Sequence, residues 1–290
     1  SKKKGRGQKF LGSPVTNYAI EKNLKHFEPL KASNPEFLAE LAALKPDLCL
    51  TCAYGKILTS KFLRIPTRGT INIHPSELPK YRGAIPVPAA LLDGLTETSI
   101  SILFTVKALD AGNLIVQKTS PIGPKEKSNE LLHRLFKEST EPLEEALKKL
   151  EDPTFMGTPQ NESEVTECTK IEKEDGLINW GSLATEIFNR FRAFSPWPGS
   201  FTFNKGKRLL ITAMDLSEEK SSVDHSLKEI GQFFYCPEQK IIRVKTGSSF
   251  INLLKLKPEG KKELTAQDLW NQIPKDKRNQ SFLTSEVKGS

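Results

Sequence analysis

Over the first half of the chain, short β-prone runs at 48–53, 70–74 and 100–106 alternate with helix-like stretches. Strands interleaved with helices pair through crossovers, so this pattern predicts an α/β layer on a mostly parallel sheet. The middle run is the most constraining. Thr70-Ile71-Asn72-Ile73-His74 is cut off by Pro75 and Pro79, which makes it a strand ending in a rigid loop. Asn72 and His74 are two apart, so a strand places both side chains on one face. The carboxyl end of a strand in an open parallel sheet is where ligands bind. An imidazole exchanges a proton near neutral pH, and an amide N–H stabilises an oxyanion without carrying charge. A lone Asn-x-His serves equally well to close a strand and satisfy loop backbone.

A carboxylate strengthens the chemical reading. Run 100–106 leads into Leu109-Asp110-Ala111-Gly112, an acid on a glycine-containing turn. A carboxylate within reach of an imidazole fixes its orientation and raises its pKa. With this second motif the chain resembles the formyltransferase family that uses 10-formyltetrahydrofolate. The family hallmark is similar to Asn72-Ile73-His74-Pro75-Ser76-x-Leu78-Pro79 followed, about thirty residues on, by Asp110-x-Gly112. The resemblance implies a Rossmann-like catalytic domain in which Asn72, His74 and Asp110 do the chemistry: His74 moving protons, Asn72 donating to the oxyanion, Asp110 orienting His74. It also implies a folate pocket lined by Ala53, Tyr54, Gly55, Ile57 and Leu58, mainly through backbone, together with Ser76, Leu78, Pro79 and Gly112. Gly55 permits the close approach.

The likeness extends to members that act on methionyl-tRNA. Gly5-Arg6-Gly7, followed by Ser13-Pro14-Val15, is similar to their loop that enters the acceptor stem. Arg192-Ala193-Phe194-x-Pro196-Trp197-Pro198 and Leu256-x-Pro258-x-Gly260-Lys261-Lys262 resemble their carboxy-terminal domain. The implied tRNA contacts are Arg6, Lys9, Arg192, Lys261 and Lys262. The implied reaction moves a formyl group from 10-formyltetrahydrofolate to the α-amine of initiator methionyl-tRNA, with no metal. Two alternatives stay open: formylation of a small amine such as a ribonucleotide or amino sugar, and a non-catalytic RNA-binding role on the same fold. Glu77, Pro88-Ala89 and Asn113 depart from the family pattern near the site. The family begins with a strand, a helix and a second strand before the basic loop, where this sequence starts. The sheet is therefore expected to lack its first strands, and the chain as given to be weakly stable and weakly active.

Composition fits this outline. With 290 residues, 37% hydrophobic and 27% charged, the chain suits one large or two medium domains. Residues 1–25 carry seven Lys/Arg against one acid, and residues 200–290 sixteen against eleven, within a net charge of +8. Basic ends around a slightly acidic middle predict a polyanionic partner. No apolar run approaches the length of a membrane span, so no membrane partner is expected. Cys49 and Cys52 have C-x-x-C spacing, but an odd separation on a strand points them to opposite faces; with Cys168 and Cys236 they read as thiols of a reducing compartment.

The domain reading is a catalytic unit over 1–153, a polar linker over 154–176 and an OB-like small barrel over 177–290, built from short strands at 200–203, 209–213, 241–245 and 250–256. Helices are expected at 15–25 (Thr16 as cap), 34–44, up to about 92, 128–150 and 183–193; on 128–150, Leu131, Leu132 and Leu135 face the core and His133 faces solvent. A monomer is expected. Formylated initiation, implied by the resemblance, points to mitochondrion or plastid, with bacterial cytoplasm as the alternative.

Overall fold

The first half of the chain is organised on a four-stranded sheet in the computed structural model, which describes residues 2–4, 9–11, 13–216, 228–280 and 283–284. Before it, β1 (Lys2–Lys4) and β2 (Lys9–Leu11) pair as an antiparallel ribbon. Helix α1 (Pro14–Glu21) starts at Ser13, whose Oγ accepts from Thr16 N at 3.1 Å. Ser13 is thus the cap rather than Thr16, because Pro14 occupies the first helical position. The helix stops at Glu21, not at 25, where Asn23 turns left-handed at φ 52°. Asn34 caps α2 (Pro35–Ala43), its Oδ1 accepting from Phe37 N at 3.0 Å, so the helix begins one residue later than expected.

The sheet proper consists of β3 (Cys49–Cys52) and, after the short α3 (Ser60–Leu63), β4 (Thr70–His74), then β6 (Glu97–Phe104) and β7 (Leu114–Pro121), in spatial order β3-β4-β6-β7. Between β4 and β6 lie the two-residue β5 (Arg82–Gly83) and α4 (Pro86–Leu92). β3 runs parallel to β4, with Thr51 opposite Asn72. β6 is antiparallel to β4, with His74 opposite Ser101, and β7 is antiparallel to β6. The α/β formyltransferase layer is present, but its sheet is mixed rather than mostly parallel among the described strands. A short turn, not a helix, joins β6 to β7, and only antiparallel neighbours accept so short a connection. Ile71, Ile100 and Ile102, each at most 1% exposed, form the centre of this core.

The helix expected over 128–150 is two helices, α5 (Ser128–Glu138) and α6 (Thr140–Lys149). Pro142 has no N–H for the carbonyl of Glu138 and its ring crowds that group, so the helix breaks at Ser139. Leu131 and Leu135 are buried and His133 is exposed, but Leu132 is 36% exposed and is not a core residue.

Beyond β8 (Glu167–Cys168), α7 (Ala184–Ala193) leads into an antiparallel sheet of β9 (Ser200–Asn204), β10 (Lys207–Leu216), β11 (Phe233–Cys236), β12 (Ile241–Lys245), β13 (Phe250–Pro258) and β14 (Leu264–Thr265), closed by α8 (Ala266–Asn271). Two register slips along β10, on either side of Ala213, bend the sheet. Helix α7 belongs to both halves. Ile187, Phe188 and Phe191 pack in the second core, while Ala193 and the following Phe194 pack in the first.

The loop between β7 and α5 meets α7 at this junction and is stiffened by charge. Arg134 Nε donates to Glu126 at 2.8 Å and its Nη1 to Glu138 at 2.9 Å. The Arg134 hydrogen bond, aided by Gly123 N–H, holds the Glu126 carboxyl below the usual carboxylate range despite its burial. A depressed folded value stabilises the protein fully above the unfolded carboxylate range and ceases to do so as pH falls through it. Glu126→Gln should therefore lower the melting temperature at pH 7 and weaken the loss of stability below about pH 4, as read from melting curves across pH.

Candidate active site

The site is assembled where β4 ends. His74 is 4% exposed and shares its face of the strand with Asn72. Its Nε2 lies 3.0 Å from the Tyr81 carbonyl. A carbonyl only accepts, so Nε2 carries the ring proton. Its Nδ1 lies 3.6 Å from Asp110 Oδ2. That oxygen also accepts from Gly83 N at 3.0 Å. Asp110 itself adopts φ 49°, the left-handed region, on the turn between β6 and β7. The turn closes only with glycine two residues on, because a Cβ on Gly112 would stand 1.7 Å from the Phe104 carbonyl oxygen. On the neighbouring strand Thr51 Oγ1 donates to Asn72 Oδ1 at 2.8 Å. This fixes the amide and leaves its N–H2 group without a bond among the described residues. The three residues read as catalytic thus meet at one strand end, two as direct neighbours.

Part of the segment read as a linker lies against this site. Thr158 and Leu114 exchange backbone hydrogen bonds of 2.8 Å each way. Tyr81 N donates to Thr166 Oγ1 at 2.8 Å, and Arg82 N to the Thr166 carbonyl at 2.9 Å. β8 then pairs in parallel with β5. Gly83, at φ 125°, allows that approach, since a Cβ there would stand 2.5 Å from the Cys168 carbonyl oxygen. Burial pushes the Cys168 thiol up. A polar tract looks the same in sequence whether its side chains face water or a loop, so composition could not reveal the strap.

The chain matches the Formyl transferase family over residues 1–147 and the formyl transferase C-terminal domain over residues 170–274. It belongs to the formyl transferase family. Among curated relatives, it is 37% identical over 265 residues to the methionyl-tRNA formyltransferase of Geobacter metallireducens, covering 91% of this chain and 83% of that protein. The corresponding protein of Acetivibrio thermocellus is 37% identical over 220 residues, covering 76% of this chain and 71% of the relative. Among solved structures, the fold resembles an N-formyltransferase from Helicobacter canadensis, with TM-score 0.64 and 18% identity over 84% of each chain. It also resembles HypX from Aquifex aeolicus with TM-score 0.59 and 20% identity, over 82% of this chain but only 41% of HypX.

The residues tied to folate by family likeness divide into two groups. Ala53 and Gly55 are left-handed, at φ 47° and 67°, on an exposed turn, and nothing lies within 4 Å of a Cβ placed on Gly55. Tyr54 and Ile57 are 40% and 90% exposed there, and Leu58 is half-buried. Ser76 and Leu78, by contrast, are 0% and 2% exposed. Ser76 Oγ donates to the Lys80 carbonyl at 2.9 Å, and Gln117 Nε2 donates to the Leu78 carbonyl at 2.9 Å. The Ser76 hydroxyl and the Leu78 carbonyl thus brace the loop; Pro79 is half-buried and Gly112 buried. The departure at Glu77 is exposed, 3.4 Å from Lys80 Nζ, and Asn113 Nδ2 donates to the Met156 carbonyl at 2.8 Å.

The expected tRNA contacts also divide. Lys261 and Lys262 are exposed just past β13. Arg6 lies outside the described residues, and Lys9 is placed on β2 with its side chain outside them. Arg192 does not fit the role. It is 5% exposed, donating to Asn189 Oδ1 at 2.7 Å and to the Gly123 carbonyl at 3.3 Å, and burial holds its guanidinium below the ordinary arginine range. The signal was present in the sequence: with Ala184, Ile187, Phe188 and Phe191 it follows the helical spacing of one buried stripe.

Gly112→Ala tests the turn. The added methyl collides with backbone, which cannot yield cheaply, so the variant should lose about 1–3 kcal/mol of stability by urea melting.

Proposed function

We propose that this chain transfers a formyl group from 10-formyltetrahydrofolate to the α-amino group of methionyl initiator tRNA. The reading is carried by the Asn72, His74 and Asp110 constellation in a chain 37% identical, over 91% of its length, to a bacterial methionyl-tRNA formyltransferase. The exposed, left-handed turn at Ala53, Tyr54 and Gly55 fits a flat polar heterocycle held by main-chain groups. 10-Formyltetrahydrofolate supplies a formyl carbon on a nitrogen leaving group.

In the transfer the amine nitrogen bonds to the formyl carbon, the bond from that carbon to N10 breaks, the amine gives up a proton and N10 gains one. With its ring proton on the Tyr81 carbonyl, His74 offers Nδ1 to the amine's proton. Asp110, 3.6 Å from Nδ1, stabilises the imidazolium that results. Asn72, its oxygen tied to Thr51, turns amide hydrogens to the oxyanion. Lys261, Lys262 and the basic amino-terminal segment with Arg6 and Lys9 hold tRNA phosphates.

The protein works as a monomer in this reading. Among the described residues no helix is long and apolar enough to cross a membrane. The relatives named above are bacterial, which supports the bacterial cytoplasm ahead of a mitochondrion or plastid.

The deciding assay measures formyl transfer to charged initiator tRNA beside free ribonucleotide and amino-sugar amines. Transfer confined to the small amines would overturn the tRNA substrate; folate-independent RNA binding without turnover would overturn the enzyme. His74→Ala and Asn72→Ala should each lower kcat by roughly 10²–10⁴ with tRNA affinity little changed. Replacing both Lys261 and Lys262 by Ala should flatten the log–log salt dependence of tRNA binding by up to about 2 units, read by titration across salt concentrations.

A further inference from the structure

The turn that carries Asp110 has a second support that the proposed mechanism does not use. Gln160 Nε2 donates to the Asp110 carbonyl at 2.8 Å and to the Gly112 carbonyl at 2.7 Å. Among the described residues no other group donates to either carbonyl. Its Oε1 accepts from Arg82 Nε at 3.1 Å and from Arg82 Nη2 at 2.9 Å. Both amide hydrogens and the amide oxygen are thus engaged. The partners also fix which end of the amide is which: reversing it would set oxygen against two carbonyls and N–H2 against a guanidinium. The Arg82 side chain is 8% exposed and is itself held by Glu162 at 2.8 Å.

We propose that Gln160 is a positioning residue, which clamps the peptide planes following Asp110 and Gly112 and so holds the Asp110 carboxylate against His74, with Arg82 locking the clamp. The inference rests on the reading of Asp110 as part of the catalytic set. The physical case is the conformation of Asp110. At φ 49° a residue with a side chain sits in a sparsely populated region, which persists only where the surroundings enforce it. One amide that ties two carbonyls on either side of Ala111 enforces it directly, since rotating either peptide plane breaks a hydrogen bond. The carboxylate depends on that geometry twice, through the 3.6 Å approach to His74 Nδ1 and the 3.0 Å bond from Gly83 N. Arg82 and Gly83 are adjacent in β5, so one short strand serves both the clamp and the carboxylate. Gln160 lies in the strapped segment, which gives that segment a part in the reaction and not only in the fold.

The test uses the full chain, with formyl transfer from 10-formyltetrahydrofolate to charged initiator tRNA as the assay. Gln160→Glu keeps the length and the acceptor for Arg82 but aims a carboxylate oxygen at the two carbonyls. Gln160→Met keeps the length and donates nothing. Each should melt close to the wild type and lower kcat by about 10–100-fold, with KM for both substrates within about twofold. Introduced into Asp110→Asn, neither should cause much further loss, because a residue acting through Asp110 has nothing left to act on.

Wild-type kcat in both single variants would overturn the inference. So would losses that multiply in the Asp110→Asn background, or a kcat that falls only in step with the melting temperature. Unfolding of both variants would likewise reduce Gln160 to a purely structural role. Normal turnover in Asp110→Asn alone would remove the catalytic reading of Asp110 and this inference with it. A slow Asp110→Asn beside fast Gln160 variants would remove only this inference.

Discussion

The hydrogen bond between His74 Nε2 and the Tyr81 carbonyl is the constraint around which the site is arranged. It sets which ring nitrogen holds the proton, and so which one faces Asp110. It requires the chain to leave β4, turn inside a buried loop and return within seven residues. Ser76, Ser101 and Gln117 brace that return: Ser101 Oγ donates to the Ser76 carbonyl at 2.6 Å, and Gln117 Nε2 to Ser101 Oγ at 2.9 Å. Tyr81 is then held at both ends, its N–H on Thr166 and its hydroxyl donating to Asp93 at 2.7 Å. Burial, with that bond to Asp93, keeps the Tyr81 phenol protonated well above its usual range, so it remains a donor. A polar network this deep stabilises one geometry only if its members are satisfied, and here they are linked through several elements at once.

Helix α7 relates this site to the second half of the molecule. Its first turns pack under the antiparallel sheet, and its end packs against α4, which directly follows β5. Arg192 is placed at that seam, its guanidinium over the Phe188 ring at 5.6 Å. Lys125 pairs with Asp215 across the same seam. The exposed lysines beyond β13 are therefore mounted on a body fixed to the catalytic sheet rather than on a free tether.

What was legible in the sequence was local. Two-residue alternation placed Asn72 and His74 together, and an acid before a glycine marked the Asp110 turn, because both signals span only a few residues. Pro142 marked the helix break equally locally, though apolar spacing alone suggested one long helix. The burial of Arg192 was legible in the helical stripe on which it sits, not in the linear motif that contains it. The burial of Ser76 and Leu78 was not legible, because a loop has no periodicity from which to read inside and outside. Gln160 was out of reach: the carbonyls it meets lie 50 and 48 residues away, and a glutamine in a polar tract carries no pattern. The antiparallel course of β7 against β6 was likewise set by the shortness of a turn rather than by the composition of the strands.

The pairing of β8 with β5 changes where this molecule can be divided. A boundary drawn by composition falls in the polar tract, ahead of Thr166 and Cys168, and would leave part of the catalytic support on the wrong fragment. A unit suited to transplantation onto another scaffold must carry the chain through Cys168. By the same reasoning, insertions that a surface connector would tolerate are unwelcome between Leu114's bridge partner Thr158 and β8, since each added residue would shift the strap relative to the loop it holds. The stretch that looks most like spacer is thus one of the least free to change its length.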